Sequence, residues 1–168
     1  ELTNETEESV RLAPWALTVM ALNGTAIIPL PEPIPHTERL THNQEWSLWG
    51  YTDLSDPRWK ISSRYILFSQ APKSGPNKLG LEHREGWVGY HVGNTLFVKE
   101  FNRDEGADYC DGGVNFETFA NEEILELESL GALIDLEPGA SVEHSEEWSL
   151  FADVPEISSD ADVDKHVL

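Results

Sequence analysis

Apolar and polar residues alternate with a period of two along most of this chain, and no stretch sustains the 3.6-residue period of an amphipathic helix. The alternation predicts strands over residues 15–20, 26–30, 46–51, 64–70, 87–92, 95–101, 114–119 and 124–130, with a closing strand from Val142 to Phe151. Turn chemistry separates these runs. Gly93-Asn94 sits between two of them and predicts an antiparallel hairpin. Asn23-Gly24 predicts a second hairpin, joining 15–20 to 26–30. Glu137-Pro138-Gly139-Ala140 has Pro and Gly at the middle of a type II turn, so residues 114–151 are expected to form three successive strands joined by two turns. Four prolines from Pro29 to Pro35 predict an extended crossing segment. Roughly eight to ten short strands with turn-rich links and no helix predict an all-β fold, an antiparallel β-sandwich. The predicted domain covers 13–154, between a flexible lead-in at 1–12 and an acidic tail at 155–168 that is either disordered or docked.

Composition narrows the setting. A length of 168 residues suits one domain with a real core, and 39% hydrophobic residues with six tryptophans support a folded chain. The formal net charge is -20, from 31 acidic and 11 basic residues. That disfavours nucleic acids and anionic membranes as partners, because phosphate contacts need Lys and Arg. A solvated acidic surface, whose self-repulsion salt would screen, is the expected consequence. One cysteine, Cys110, rules out an intrachain disulfide and a cysteine-based zinc site. No run approaches the length of a membrane-spanning helix. We expect a soluble chain, with the cytoplasm the favoured compartment.

Candidate chemistry centres on Glu117. Alternation puts Asn115 and Glu117 on one face of their strand, and sets Glu126 and Glu128 opposite Leu125 and Leu127 as an outward charged face. A carboxylate fixed on a strand suits general-base work, and burial can lift its pKa towards neutrality; the alternative is an exposed strand glutamate. Asp56 and Arg58 lie in the loop 52–59, where they either pair with each other or present a fork to a polyol. Lys78 stands out as one of few basic residues, but PKSGPNKLG lacks the spacing of a phosphate loop. Cys110 has no histidine base nearby in sequence and no Gly-x-Ser-x-Gly elbow exists, so a hydrolase is disfavoured. Glu126, Glu128 and His144 are ligand types with nothing to fix their approach, so no metal is expected. His144, among Glu143, Glu146 and Glu147, is expected to hold its proton more tightly than usual. Trp15, Trp46 and Trp148 are assigned to packing.

The segment 113–151 resembles the C-terminal part of galactose mutarotase-like proteins. A strand glutamate, here Glu117, precedes a Leu-x-Pro-Gly turn, here Leu136, Pro138 and Gly139, and then an aromatic last strand with Trp148. YTDLSDPRW at 51–59 and LELESLG at 125–131 extend the resemblance over most of 13–154, and look like a separate branch of that superfamily rather than a true aldose 1-epimerase. The resemblance implies a mutarotase-like supersandwich, here a partial one. It implies a carbohydrate ligand, no cofactor, and aldose 1-epimerase-like isomerisation with Glu117 as general base on the anomeric hydroxyl. For such a ligand, Trp49, Tyr51, Trp87 and Tyr90 are candidate stacking platforms, no more than two of them facing it, and Asp56, Arg58 and Lys78 are candidate partners for hydroxyls. The family's general acid is a histidine in an Asn-His-Thr-Tyr-like motif, and none of His36, His42, His83, His91, His144 and His166 sits in one. Two alternatives stand beside this reading: a non-catalytic sandwich module that binds a glycan or a protein, and a half-domain that closes by homodimerisation.

Overall fold

Apolar runs of two kinds build the two sheets. Those buried on both faces become central strands, and those that alternate lie where one face meets solvent. The computed structural model describes residues 1–72 and 74–167. Its first strands are β1 (Leu2–Thr3), β2 (Val10–Leu12), β3 (Trp15–Met20), β4 (Thr25–Pro29) and β5 (Trp46–Leu48). Next come β6 (Trp59–Ile61), β7 (Tyr65–Ser69), β8 (Asn77–Leu81), β9 (Trp87–Val92) and β10 (Thr95–Phe101). The chain ends with β11 (Phe116–Ala120), β12 (Leu125–Leu130), β13 (Ile134–Leu136), β14 (Ser141–Val142), β15 (Glu146–Ala152) and one helix, α1 (Asp160–His166).

A six-stranded sheet has the order β15-β10-β9-β4-β7-β6, and a five-stranded sheet the order β3-β12-β11-β8-β5. All their pairings are antiparallel. The core lies between them. Ile28, Phe68, Val88, Tyr90 and Phe97 from the larger sheet pack with Leu79, Phe116, Leu125 and Leu127 from the smaller. The molecule is therefore the antiparallel β-sandwich that the alternation predicts. At the β3 side a lysine crosses the interior: fully buried Lys99 donates to Thr18 Oγ1 and the Leu127 carbonyl, each at 3.0 Å, and pairs with Glu146 at 2.5 Å. Burial lowers its pKa, against the pull of Glu146.

Several expectations are corrected. Asn23-Gly24 turns the chain, with Asn23 at φ 65, but does not close a hairpin. β3 pairs with β12 while β4 pairs with β7 and β9, so this turn passes from one sheet to the other. Tyr90 sits directly beneath Gly24, where an added Cβ would lie 2.4 Å from its ring. The run 114–151 is not a single meander either. β11 and β12 pair as expected, and Ala140 N–H closes the turn on Glu137 O with Gly139 at φ 76. The closing strand, however, splits into β14 and β15, and β15 joins the other sheet beside β10.

Both end segments contain secondary structure among the described residues. β1 pairs with β14 and β2 with β13, and the buried Asn4 amide donates to the carbonyls of Glu8 and Leu136. Of the two alternatives for the acidic tail, the structure shows docking. Val154, Ile157 and Val163 cover Ile27, Tyr65, Leu67 and Leu96 on the outer face of the larger sheet. The unforeseen helix α1 is capped by Ser159, whose side chain accepts from Asp162 N–H. Among the described residues no helix is long and apolar enough to cross a membrane.

Candidate functional site

The outer face of the five-stranded sheet carries the alternate residues of its strands. Glu117 on β11 pairs with Glu128 on β12 and with Gly80 on β8, and Lys78 lies two pairs further along, opposite Phe119. Two carboxylates facing each other across a ladder would repel. Lys78 resolves this by reaching diagonally between them: its Nζ lies 2.5 Å from Glu117 Oε2 and 3.1 Å from Glu128 Oε2. Trp15 Nε1 donates to the same Glu128 oxygen at 2.9 Å. The Lys78 ammonium stands over the Trp49 ring at 4.7 Å and the Trp15 ring at 5.4 Å, within cation–π range.

Local structure holds this arrangement. Trp49 N–H donates to Thr52 Oγ1, and that hydroxyl donates to the Lys78 carbonyl at 2.6 Å, tying the loop after β5 to β8. Gly80 lets the indole close, because a Cβ there would stand 3.0 Å from the Trp49 ring and 3.1 Å from Val114. The resulting cavity, of about 310 Å³, is lined by Ala13, Trp15, Trp49, Lys78, Cys110, Asp111, Glu117 and Leu130.

Charge is out of balance here. Glu117 is 1% exposed and Glu128 fully buried, and each keeps one oxygen, Oε1, buried without a hydrogen-bond partner among the described residues. Burial pushes the Glu117 pKa up to about 7; the Lys78 ammonium opposes the rise and the Glu128 charge adds to it. Burial also works against the Lys78 charge, but the two carboxylates outweigh it and raise its pKa. The Cys110 thiol is pushed up by burial, with Asp111 and Glu117 adding to the effect, so it is a poor nucleophile. A proton acceptor near neutrality, an adjacent ammonium and two indole faces therefore meet in one small cavity.

Of the residues named from sequence, the structure brings Lys78 and Trp49 to Glu117 and leaves Asp56, Arg58, Trp87 and Tyr90 elsewhere. Arg58 pairs with Asp56 at 2.7 Å, donates to the Gly75 carbonyl and stacks over Phe68, so the pair closes its own loop. The Arg58 hydrogen bonds hold the Asp56 pKa down at about 2. Tyr90 is a core residue whose hydroxyl donates to the Ala21 carbonyl and accepts from Gly24 N–H. Trp87 packs at the edge of the cluster beneath the C-terminal segment, on the other sheet.

Trp15, assigned to packing, is more than half exposed and walls the cavity; Trp148 is also exposed, with its ring edge-on to Phe97. Glu128, expected on a solvated face, is buried. Alternation correctly assigns its side of the sheet but says nothing of the tryptophan and lysine that cover it. His144 also departs from expectation: burial lowers its pKa, and its Nε2 shares a 2.7 Å hydrogen bond with the Ser129 hydroxyl. No family model, curated protein or solved structure matches the chain.

Proposed function

We propose that this cavity binds a monosaccharide or similar polyol, and that Glu117 serves as the base that interconverts its anomers, as the mutarotase-like resemblance implies. The observation that carries this reading is the Glu117 carboxyl itself, buried on a rigid strand at the cavity, with the Lys78 ammonium and two indoles beside it and one oxygen unpartnered among the described residues. Burial pushes its pKa up to about 7, which suits it to base work. An oxygen that lacks a donor is a ready acceptor for a sugar hydroxyl. Indole faces suit the C–H surface of a pyranose, and the cavity falls at the small end of ligand sites.

Anomer exchange needs a proton taken from the anomeric hydroxyl and one given to the ring oxygen. Those two oxygens are bonded to the same carbon, so a base and an acid side by side can serve them. Glu117 Oε1 is the acceptor, and the Lys78 ammonium, 2.5 Å from Glu117 Oε2, is the donor in place of the family's histidine. No histidine lines the cavity. Saturation-transfer NMR against an aldose panel, with anomer exchange followed in the same samples, tests the reading. The expected result is binding and accelerated exchange, with exchange falling roughly 10²–10⁴-fold in Glu117→Gln. A folded protein that shows neither binding nor exchange contradicts it.

A second reading is a module that binds without turnover and closes its open sheet with a second copy. One observation favours it. β3 ends the five-stranded sheet, contains no charged residue, and exposes Trp15, Leu17 and Val19. Edge strands that stay single normally carry charge, proline or a bulge. At net charge -20 a second copy is repelled until salt screens that charge, and β3 itself adds none to the contact. Because Trp15 belongs to β3, that second copy would also wall the cavity.

A further inference from the structure

The cavity's charge count points to the chemical class of its ligand. Two carboxylates, Glu117 from β11 and Glu128 from β12, share one ammonium, Lys78 from β8. The other titratable groups around them are Glu126 on β12, Asp111 and Cys110 in the loop before β11, and Tyr51 in the loop after β5. Lys99 from β10 acts on Glu128 from the interior side but is itself paired with Glu146, and Arg11, which acts on Cys110, is paired with Asp108 and Asp135. Among the described residues Glu117, Glu128 and Glu146 therefore share two ammonium groups, so the cluster is short of one cation and of hydrogen-bond donors for two buried oxygens, Glu117 Oε1 and Glu128 Oε1. A hydroxyl donates a hydrogen bond but leaves the charge uncompensated. A phosphate or carboxylate adds to it. An ammonium supplies both what the oxygens lack and a partner for the indole faces.

We propose that the ligand is an amino sugar, a polyol whose ammonium group donates to the unpartnered oxygen of Glu117 while the ring lies against Trp15 and Trp49. This rests on the sugar-site reading above and narrows it. In the free protein a proton on Glu117, whose pKa burial pushes up to about 7, offsets part of the excess charge, and the incoming ammonium replaces that proton. Binding at pH 6 therefore releases a proton, and because the ammonium of a free 2-amino sugar itself deprotonates just above neutrality, affinity should pass through a maximum near pH 7 and fall on either side.

The test is calorimetric titration at fixed ionic strength with glucosamine and galactosamine, their N-acetyl derivatives, glucose, galactose, glucuronate and glucose 6-phosphate. Buffers of different ionisation enthalpy count the protons released. At least one free amino sugar is expected to bind about tenfold more tightly than its N-acetyl and parent forms, with the acids weakest. That preference should shrink in Glu117→Gln and in Glu128→Gln. The second variant keeps the test informative if the first does not fold. Parent sugars that bind as tightly as the amines overturn the amino-sugar assignment and leave the sugar site standing. A preference that persists undiminished in both variants traces to the acidic surface at large and also overturns it. Absence of binding by any sugar overturns both.

Discussion

Burial dominates the titration of Glu117 and of His83, and it acts on their folded states in opposite senses. Glu117 moves up to about 7, so the folded state keeps a proton that the unfolded chain releases. Its contribution to stability therefore falls as pH rises from 4.5 to 7. His83, buried beside Phe101 and Phe116 with its Nε2 bonded to the Trp87 carbonyl, moves down to about 4. There the unfolded chain takes up the proton first, so stability falls as pH drops from 6.5 to 4, by roughly 3 kcal/mol for a shift of that size. The two slopes oppose each other over the same window. Urea unfolding between pH 4.5 and 7 should show stability rising more steeply with pH in Glu117→Gln and less steeply in His83→Gln than in the parent protein. Parallel profiles for all three would contradict the assignment. At this scale the sequence made Glu117 and Lys78 visible as chemistry. It hid Glu128 and Trp15, because strand period fixes the face of a residue but not what covers it from two strands away.

The elements show which local signals survive in the whole fold. Gly93-Asn94 closes the β9–β10 hairpin as its flanking alternation predicts, with Val92 opposite Thr95. Asn23-Gly24 supplies the same kind of turn, yet burial decides where its strands go. β4 is buried along nearly its whole length and becomes central, whereas β3 alternates half-buried with exposed and becomes an edge. A turn dipeptide reports backbone conformation, not sheet membership. The C-terminal helix was missed for a different reason. Ser159 and Asp162 form an N-terminal cap, but seven residues are too few to display a helical period. Its stability comes from Val163 on the outer face of the sheet. Val163→Ala should lower unfolding stability by about 2 kcal/mol and increase hydrogen exchange along β7 and β10. An unchanged stability would mean that the helix contributes little to the fold.

For the molecule as a whole, net charge and the open edge act against each other. At low ionic strength the excess of acidic groups keeps copies apart, and salt removes that barrier within a Debye length. The β3 edge, once screened, is free to pair. Sedimentation equilibrium should show a monomer at low salt and a reversible dimer at moderate salt, and Leu17→Lys, which places a charge in the strip, should hold the protein monomeric. A monomer at every salt concentration would remove the half-domain reading and leave the cavity complete within one chain. The sandwich class was legible from sequence because the strand period is a local property. The partition of strands between sheets was not, since it depends on contacts between distant residues such as Lys99 and Leu127.

The most direct measurement is a carbon-13 NMR titration of the side-chain carboxyls, with Glu117 identified by the signal that Glu117→Gln removes. A buried carboxyl that shares one ammonium with Glu128 is predicted to titrate near pH 7, and its midpoint should fall in Glu128→Gln, where the neighbouring negative charge is gone. A Glu117 midpoint in the ordinary carboxylate range, unmoved in Glu128→Gln, would contradict the shared, charge-deficient site on which the functional proposal rests.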